Sequence, residues 1–350
     1  MLAKLKNFAG MVYFLLAVFK WDRYRRITFD PSKDLPDLDG RVAIVTGGNT
    51  GIGFSTVKHL ARRGAKVYIA GRNPTKVADA IERLKAEGIT GKVEYLHLDL
   101  LDPHSATDAA KAFLALENRL DILINNAALL FQDPVEYHYG IADHMLTNHI
   151  GHLIFTTGLL PVMKTTVELE NTSSGRIVVV SSGGHLYAPE TTRFRSVEDL
   201  NNEYADHPAP YYGRYCAGKL TNVLFAKELQ RRLDADGANI TVMSLHPGNV
   251  NTFSYVSPFP RVTELLMRML FMHPDIGAYT SVFAAASPEV DADPRYKGGY
   301  LEPVAQLGEA SKTACDPEVA RELWQTTENI VEGWFPLNGG SELSPLKDST

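Results

Sequence analysis

Cysteine is scarce in this chain: of 350 residues only Cys216 and Cys315 are cysteines, and they lie far apart. That excludes a disulfide framework and a cysteine-based zinc site, and it suits a reducing compartment, so a cytoplasmic location is expected. Positive charge is not in excess either. Lys and Arg total 35 against 41 Asp and Glu, a net charge of -6, which argues against a nucleic-acid partner. Internal repeats and low-complexity tracts are also missing, so solenoid and disordered architectures fall away.

A long apolar run is the next absence. The nearest approach is Phe8 to Phe19, FAGMVYFLLAVF, bracketed by Lys6 and Lys20. As a helix it would reach about 18 Å, short of the roughly 30 Å of a bilayer core. No small-residue cleavage site follows, which speaks against a removed signal peptide. The run is apolar all round, so an amphipathic surface helix describes it poorly. Two readings stand. Residues 8–19 form either a helix packed on the body or a partner subunit, or a shallow membrane anchor helped by Trp21, Tyr24, Arg25 and Arg26.

What is present is an alternation. Residues 41–46 (RVAIVT), 66–70 (KVYIA), 93–98, 121–125, 176–181 and 240–246 read as short β-branched strands. Helical patterns over 51–63, 74–87, 103–118, 139–164 and 211–234 separate them, and Gly64 and Gly88 close the first two. Strand–helix alternation implies right-handed crossovers. The expected fold is α/β, a Rossmann-type doubly wound parallel sheet, one domain with helices on both faces. The division expected is 1–39 as apolar helix and polar lead-in, 40–305 as the catalytic body, and 306–350 as a C-terminal extension. Residues 183–210 read as an irregular insertion. Residues 251–275, rich in Pro, Met and Phe, read as a substrate-covering segment, with a last strand near 298–303 and a helix near 317–332.

Between the first strand and first helix lies TGGNTGIG, Thr46 to Gly53. Gly47, Gly51 and Gly53 permit a tight turn and close backbone approach to a pyrophosphate, with the following helix's N-terminal amides facing the negative charge. A glycine triplet alone is weak; after a strand and opening a helix it reads as a dinucleotide site. The second strand ends IAGRN. Gly71 stands where a carboxylate would hold a ribose 2′-hydroxyl, and Arg72 follows, a guanidinium suited to a 2′-phosphate, so the expected cofactor is NADP. A plain surface charge is the alternative for Arg72.

Tyr215 and Lys219 are four apart in a helical pattern and share a face. Of the fifteen tyrosines only Tyr215 has a lysine at that spacing. A free phenol, with a pKa near 10, is a poor base at neutral pH. An ammonium about 4 Å away would contribute roughly 4 kcal/mol at an effective dielectric near 20, bringing the phenol towards neutrality. Ser182, at the end of the fifth strand, falls at the carboxyl edge of the sheet, where α/β ligands bind.

These elements together resemble the short-chain dehydrogenase/reductase family over about residues 40–305. They run TGGNTGIG, Asp99, NNAA at 125–128, Asn148, SS at 181–182, YCAGK at 215–219 and HPGNVNT at 246–252. The resemblance implies a catalytic set of Asn148, Ser182, Tyr215 and Lys219. In it Ser182 binds the substrate oxygen, with Ser181 as rival, and Asn148 holds a water linking Lys219 to solvent. It also implies cofactor contacts from Asp99 (adenine), Asn126 (adenine-ribose side), Ile52, and Val250 and Thr252 around the nicotinamide, with Tyr215 and Lys219 at the ribose side. Turn, capping or packing roles are the alternatives for Asn148, Asp99, Ile52, Val250 and Thr252. NNAA has Ala128 where the family has glycine, which puts the local backbone in question, and Gly218 stands where serine is common. The stretch 215–233 is similar to the retinol-dehydrogenase-like and fungal branches. That implies hydride transfer between NADP(H) and a small lipophilic carbonyl or alcohol, with fungal secondary metabolism as an analogy, and a homo-oligomer formed through helices 139–164 and 211–234. The rival class is a non-catalytic NADP-binding sensor or scaffold. His144, His149 and His152 cluster but lack the order of a zinc site, so no metal is expected.

Overall fold

The computed structural model describes residues 27, 29–129, 134–170, 174–250 and 272–335. The apolar run 8–19, Thr252 and nearly all of the expected covering segment lie outside them. Strands β1 (Val42–Thr46), β2 (Lys66–Gly71), β3 (Val93–His97), β4 (Ile122–Asn125), β5 (Gly175–Val180), β6 (Ile240–Leu245), β7 (Tyr300–Glu302) and β8 (Gln306–Gly308) form one sheet. Its order is β8-β7-β6-β5-β4-β1-β2-β3. Every pair is parallel except β7–β8, an antiparallel hairpin at the edge. The strand order reverses between β1 and β4, so the crevice beyond their carboxyl ends is where such a sheet takes its ligand.

The chain supplies helices to both faces: α1 (Gly51–Arg62), α2 (Pro74–Ala86), α3 (Pro103–Leu116), α4 (Gly151–Glu170), α5 (Pro210–Ala235), α6 (Pro274–Ala286) and α7 (Pro317–Trp334). Period-two alternation splits the core. Ala43 and Val45 of β1 join the α1, α2 and α6 side, while Val42 and Ile44 join the α3, α4, α5 and α7 side. Several helices start from a polar residue before proline. Asn73, Asp102 and Asp316 accept from the amides of Lys76, His104 and Glu318 at 3.0, 3.0 and 2.8 Å. Each satisfies an orphan donor, and each proline is placed where its missing N–H costs nothing.

Several boundaries differ from the sequence expectation. No helix starts at 139, because Tyr139 and Gly140 adopt left-handed φ of 54° and 80° and turn a small ribbon, Tyr137–His138 against Ile141–Ala142. A short α segment (Asp143–Met145) and a π-helical turn (Leu146–Ile150) then lead into α4, which runs past 164 to Glu170. Gly151, the first residue of α4, packs where a side chain does not fit, since a Cβ there would sit 2.6 Å from Leu100 O. The expected insertion 183–210 holds a 3-10 turn, Gly183–Tyr187, and a short helix, Val197–Leu200. Helix α6 begins at Pro274, inside the expected covering segment. The boundary drawn at 305 falls within the β7–β8 hairpin, so residues beyond it continue the same sheet. No described helix is long and apolar enough to cross a membrane.

Candidate active site

The glycine loop leaves β1 at the crevice. Gly47 and Gly51 carry φ of 65° and 56°, which glycine adopts without strain. A Cβ on Gly53 would lie 2.5 Å from both Gly47 O and Asn126 Nδ2, so no side chain fits there. Thr50 precedes α1 without a side-chain cap, leaving the helix's first amides to another acceptor. An uncapped helix N-terminus behind a glycine cradle fits a pyrophosphate. Thr46 locks the loop to the next one: its Oγ1 accepts from the amides of Asn126 and Ala127, both at 2.9 Å. Asn126 Nδ2 returns a bond to Thr46 O at 2.8 Å, so this amide braces the glycine loop.

The remaining cofactor positions spread around this crevice. Arg72 is exposed just after β2. Asp99 is a turn residue here; Oδ1 accepts from Leu101 N at 3.1 Å, and its own amide donates to Ser105 Oγ. Ile52 is half-buried, and Val250 is buried and bridges to Met272. Ala128 is not among the described non-glycine residues with left-handed φ, which are Tyr139, Tyr204 and Ala305, so alanine sits there without strain.

Opposite the glycine loop, β5 ends at Ser181 and Ser182, and the two serines face different ways. Ser181 Oγ is buried and donates to Lys219 O at 2.7 Å, tying α5 to the sheet. Ser182 Oγ accepts from Gly184 N at 3.0 Å and hydrogen-bonds the Tyr215 side chain. Gly184 is what lets Tyr215 approach: a Cβ there would meet the ring at 2.8 Å. Lys219 follows one turn later on α5, 4% exposed, and Nζ donates to Val180 O at 3.2 Å. Burial lowers the Lys219 pKa to about 8.

For Tyr215 the expected depression is not seen. Burial raises its phenol, and the Ser182 hydrogen bond offsets only part of that. Lys219 does not act on the phenol here: its ammonium is held by the β5 carbonyl, and desolvation governs the Tyr215 shift.

Asn148 lies in the π-helical turn, a backbone irregularity common at functional sites. Its Oδ1 accepts from Leu129 N at 2.7 Å, its Nδ2 donates to Leu129 O at 3.1 Å, and its carbonyl accepts from Asn222 Nδ2 at 2.8 Å. It therefore joins the 125–129 loop to α5. Gly218 has room for a side chain beside it, the nearest atom being Asn148 Nδ2 at 3.7 Å. The three clustered histidines diverge: His152 Nε2 meets Thr46 Oγ1 and His149 Nε2 meets Thr327 Oγ1, both at 2.9 Å, while His144 lies beside Asp143.

Two contributors went unread in the sequence: Gly184 and Asn222. The doubled glycine after the serine pair was the one visible signal for the first. The second depends on a contact between distant segments.

The family profile described as short chain dehydrogenase matches residues 41–192. A short-chain dehydrogenase/reductase of Armillaria gallica is 41% identical over 305 residues, 85% of this chain and 95% of that protein. The chain belongs to the short-chain dehydrogenase/reductase family. The polyprenol dehydrogenase of Homo sapiens is 38% identical over 261 residues, 73% of this chain and 76% of that protein. Among solved structures, an uncharacterized protein from Mycobacterium Paratuberculosis superposes with a TM-score of 0.66 at 28% identity, covering 87% of this chain and 97% of that one. This short-chain dehydrogenase/reductase is thus an oxidoreductase of a family that uses nicotinamide cofactors.

Proposed function

We propose that the chain transfers hydride between NADP(H) and a lipophilic carbonyl or alcohol, with Tyr215 exchanging the proton at the substrate oxygen. The observation that carries this is the Ser182–Tyr215 hydrogen bond at the mouth of the crevice, with Lys219 one helical turn away. When bound, the nicotinamide supplies the hydride, and the protein's part is positioning and electrostatics.

In the reductive direction the Tyr215 hydroxyl gives its proton to the oxygen that gains negative charge. Ser182 Oγ orients that oxygen. Lys219, charged below about pH 8 and one helical turn from Tyr215, is held on the Val180 carbonyl and would turn to the nicotinamide ribose when the cofactor binds. Asn148 holds the 125–129 loop against α5, keeping the two halves of the site in register. Gly47, Gly51, Gly53 and Ile52 would cradle the pyrophosphate side, Asp99 and Asn126 would border the adenosine, and Val250 would border the nicotinamide. The NADP preference rests on Arg72, exposed beside Gly71, which stands where an acidic residue would select NAD. The lipophilic substrate class is supported by the apolar composition of 251–271 and by the likeness to a protein named polyprenol dehydrogenase.

The test is consumption of NADPH and NADH by the purified protein over a panel of lipophilic aldehydes and ketones, and of the oxidised cofactors over the matching alcohols. Turnover is expected with NADPH in preference to NADH. Tyr215→Phe should lower kcat by about two to four orders of magnitude while NADPH still binds. Wild-type turnover in that variant overturns the mechanism, and NADPH binding without any turnover by the native protein favours a sensor.

A further inference from the structure

His185 is fully buried and lies three residues beyond Ser182, on the 3-10 turn that Ser182 caps. Its two ring nitrogens face partners whose roles are fixed. Ser182 O, 2.7 Å from Nδ1, can only accept, so Nδ1 carries the hydrogen. Ser311 N, 3.2 Å from Nε2, can only donate, so Nε2 presents its lone pair. The environment thus specifies one neutral tautomer. The His185 main-chain amide also donates to Ser182 O, at 3.2 Å, so both lone pairs of that carbonyl are engaged by one residue. The Tyr300 ring of β7 stands edge-on at 4.7 Å and 62° and fixes the imidazole plane.

We propose that His185, as the neutral Nδ1–H tautomer, is a positioning residue that clamps the Ser182 peptide and connects it to the segment following β8. This rests on the role given to Ser182 above. The clamp sets the direction of the Ser182 main chain, and with it the aim of Oγ towards Tyr215. The other end of the ring reaches Ser311, whose Oγ accepts from Ala314 N at 3.2 Å as the chain turns towards α7. Residues beyond the sheet edge are thereby part of the apparatus that orients the site. Burial, which pushes the His185 pKa down to about 4, agrees with a ring that stays neutral at physiological pH.

The experiment has two arms. In the first, long-range 1H–15N NMR of the native protein reads the imidazole directly. One neutral Nδ1–H tautomer is expected from pH 6 to 8, where the protein stays folded; an Nε2–H tautomer or a titration near 6.5 in the folded protein overturns the proposal. In the second, His185→Phe keeps the ring's shape without its nitrogens, and His185→Asn keeps a donor near the Nδ1 position. Misplacing a reacting group by about 1 Å costs up to about 100-fold in rate. A loss of that size in kcat is expected for His185→Phe, with the NADPH Kd and the thermal midpoint close to native, and His185→Asn should recover most of it. Native kcat in a folded His185→Phe, or no recovery in His185→Asn, overturns the proposal. Absence of turnover in the native protein would instead count against the functional reading, and the NMR arm still decides the tautomer. The NMR arm also decides if His185→Phe does not fold.

Discussion

Lys219 is a buried cation, and its placement costs the fold stability. The residue is 4% exposed, and its pKa falls to about 8 from 10.5 because burial disfavours the charge. The sign follows from the proton count. Below pH 10.5 the unfolded chain holds that proton more readily than the native one, so stability falls as pH drops towards 8 and stays reduced below it. At about 1.4 kcal/mol per pKa unit this is a penalty near 3 kcal/mol at neutral pH. Lys219→Met keeps the aliphatic stem and removes the charge. It should therefore raise stability at pH 7 by roughly 1–3 kcal/mol, the lost bond to Val180 O offsetting part, while turnover disappears. Urea denaturation beside an activity assay checks both; a destabilised variant would show that the ammonium is better solvated than its burial implies. In the sequence Tyr215 and Lys219 share one helix face and Ser182 stands at a strand end, and the structure brings Ser182 and Tyr215 into contact. Their energetics were not legible there. The Coulomb argument assumed an ammonium facing the phenol, and only the folded chain shows it turned to the β5 carbonyl.

At the scale of elements, helices announced by local chemistry were legible and those set by tertiary contact were not. Asn73-Pro74 and Asp102-Pro103 mark starts that the structure keeps within a residue or two. The entry to α4 was invisible because the left-handed Tyr139 is supported from afar, its hydroxyl donating to Asp102 at 3.0 Å and its ring 5.7 Å from Trp334. Helix α6, PDIGAYTSVFAAA, is too rich in small residues to show a period. Helix α7 carries a consequence for assembly. Trp324 stacks on Phe225 of α5 at 5.9 Å and 13°, with the Arg232 guanidinium 4.5 Å from its ring. Arg232 in turn pairs with buried Glu228 at 2.8 Å. The chain's own C-terminal helix thus covers part of the α5 surface through which the resemblance implies a homo-oligomer. Trp324→Ala should cost about 3–5 kcal/mol in chemical denaturation, the range for removing a buried aromatic, with Trp324→Phe retaining most of the native value. A loss under 1 kcal/mol would mean that α7 is not held by this contact.

Over the whole molecule, the parallel sheet and its switch point followed from strand–helix alternation, while the antiparallel β7–β8 edge did not, because strands of three residues carry no pattern. The cluster at 144–152 reads from the sequence as helix packing or an interface rather than a metal site, and His149 and His152 are buried on different partners. His185 and His246 are buried elsewhere. Desolvation lowers their pKa values to about 3 for His149, His152 and His246 and about 4 for His185. These are depressed folded values, so the native state stays neutral while the unfolded chain takes up protons below about pH 6.5. Stability is then lost progressively as pH falls from 6.5 towards 4. With all four groups contributing, the slope approaches about 5 kcal/mol per pH unit, against the roughly 5–15 kcal/mol that a typical domain has in total. The protein should therefore unfold cooperatively between about pH 6 and pH 5, before most carboxylates titrate. Urea midpoints at pH 7.5, 6.5, 6.0 and 5.5 would follow the descent. A midpoint unchanged down to pH 5 would require these imidazoles to reach water, and would count against the packing of β1, α4, α5 and α7 around them.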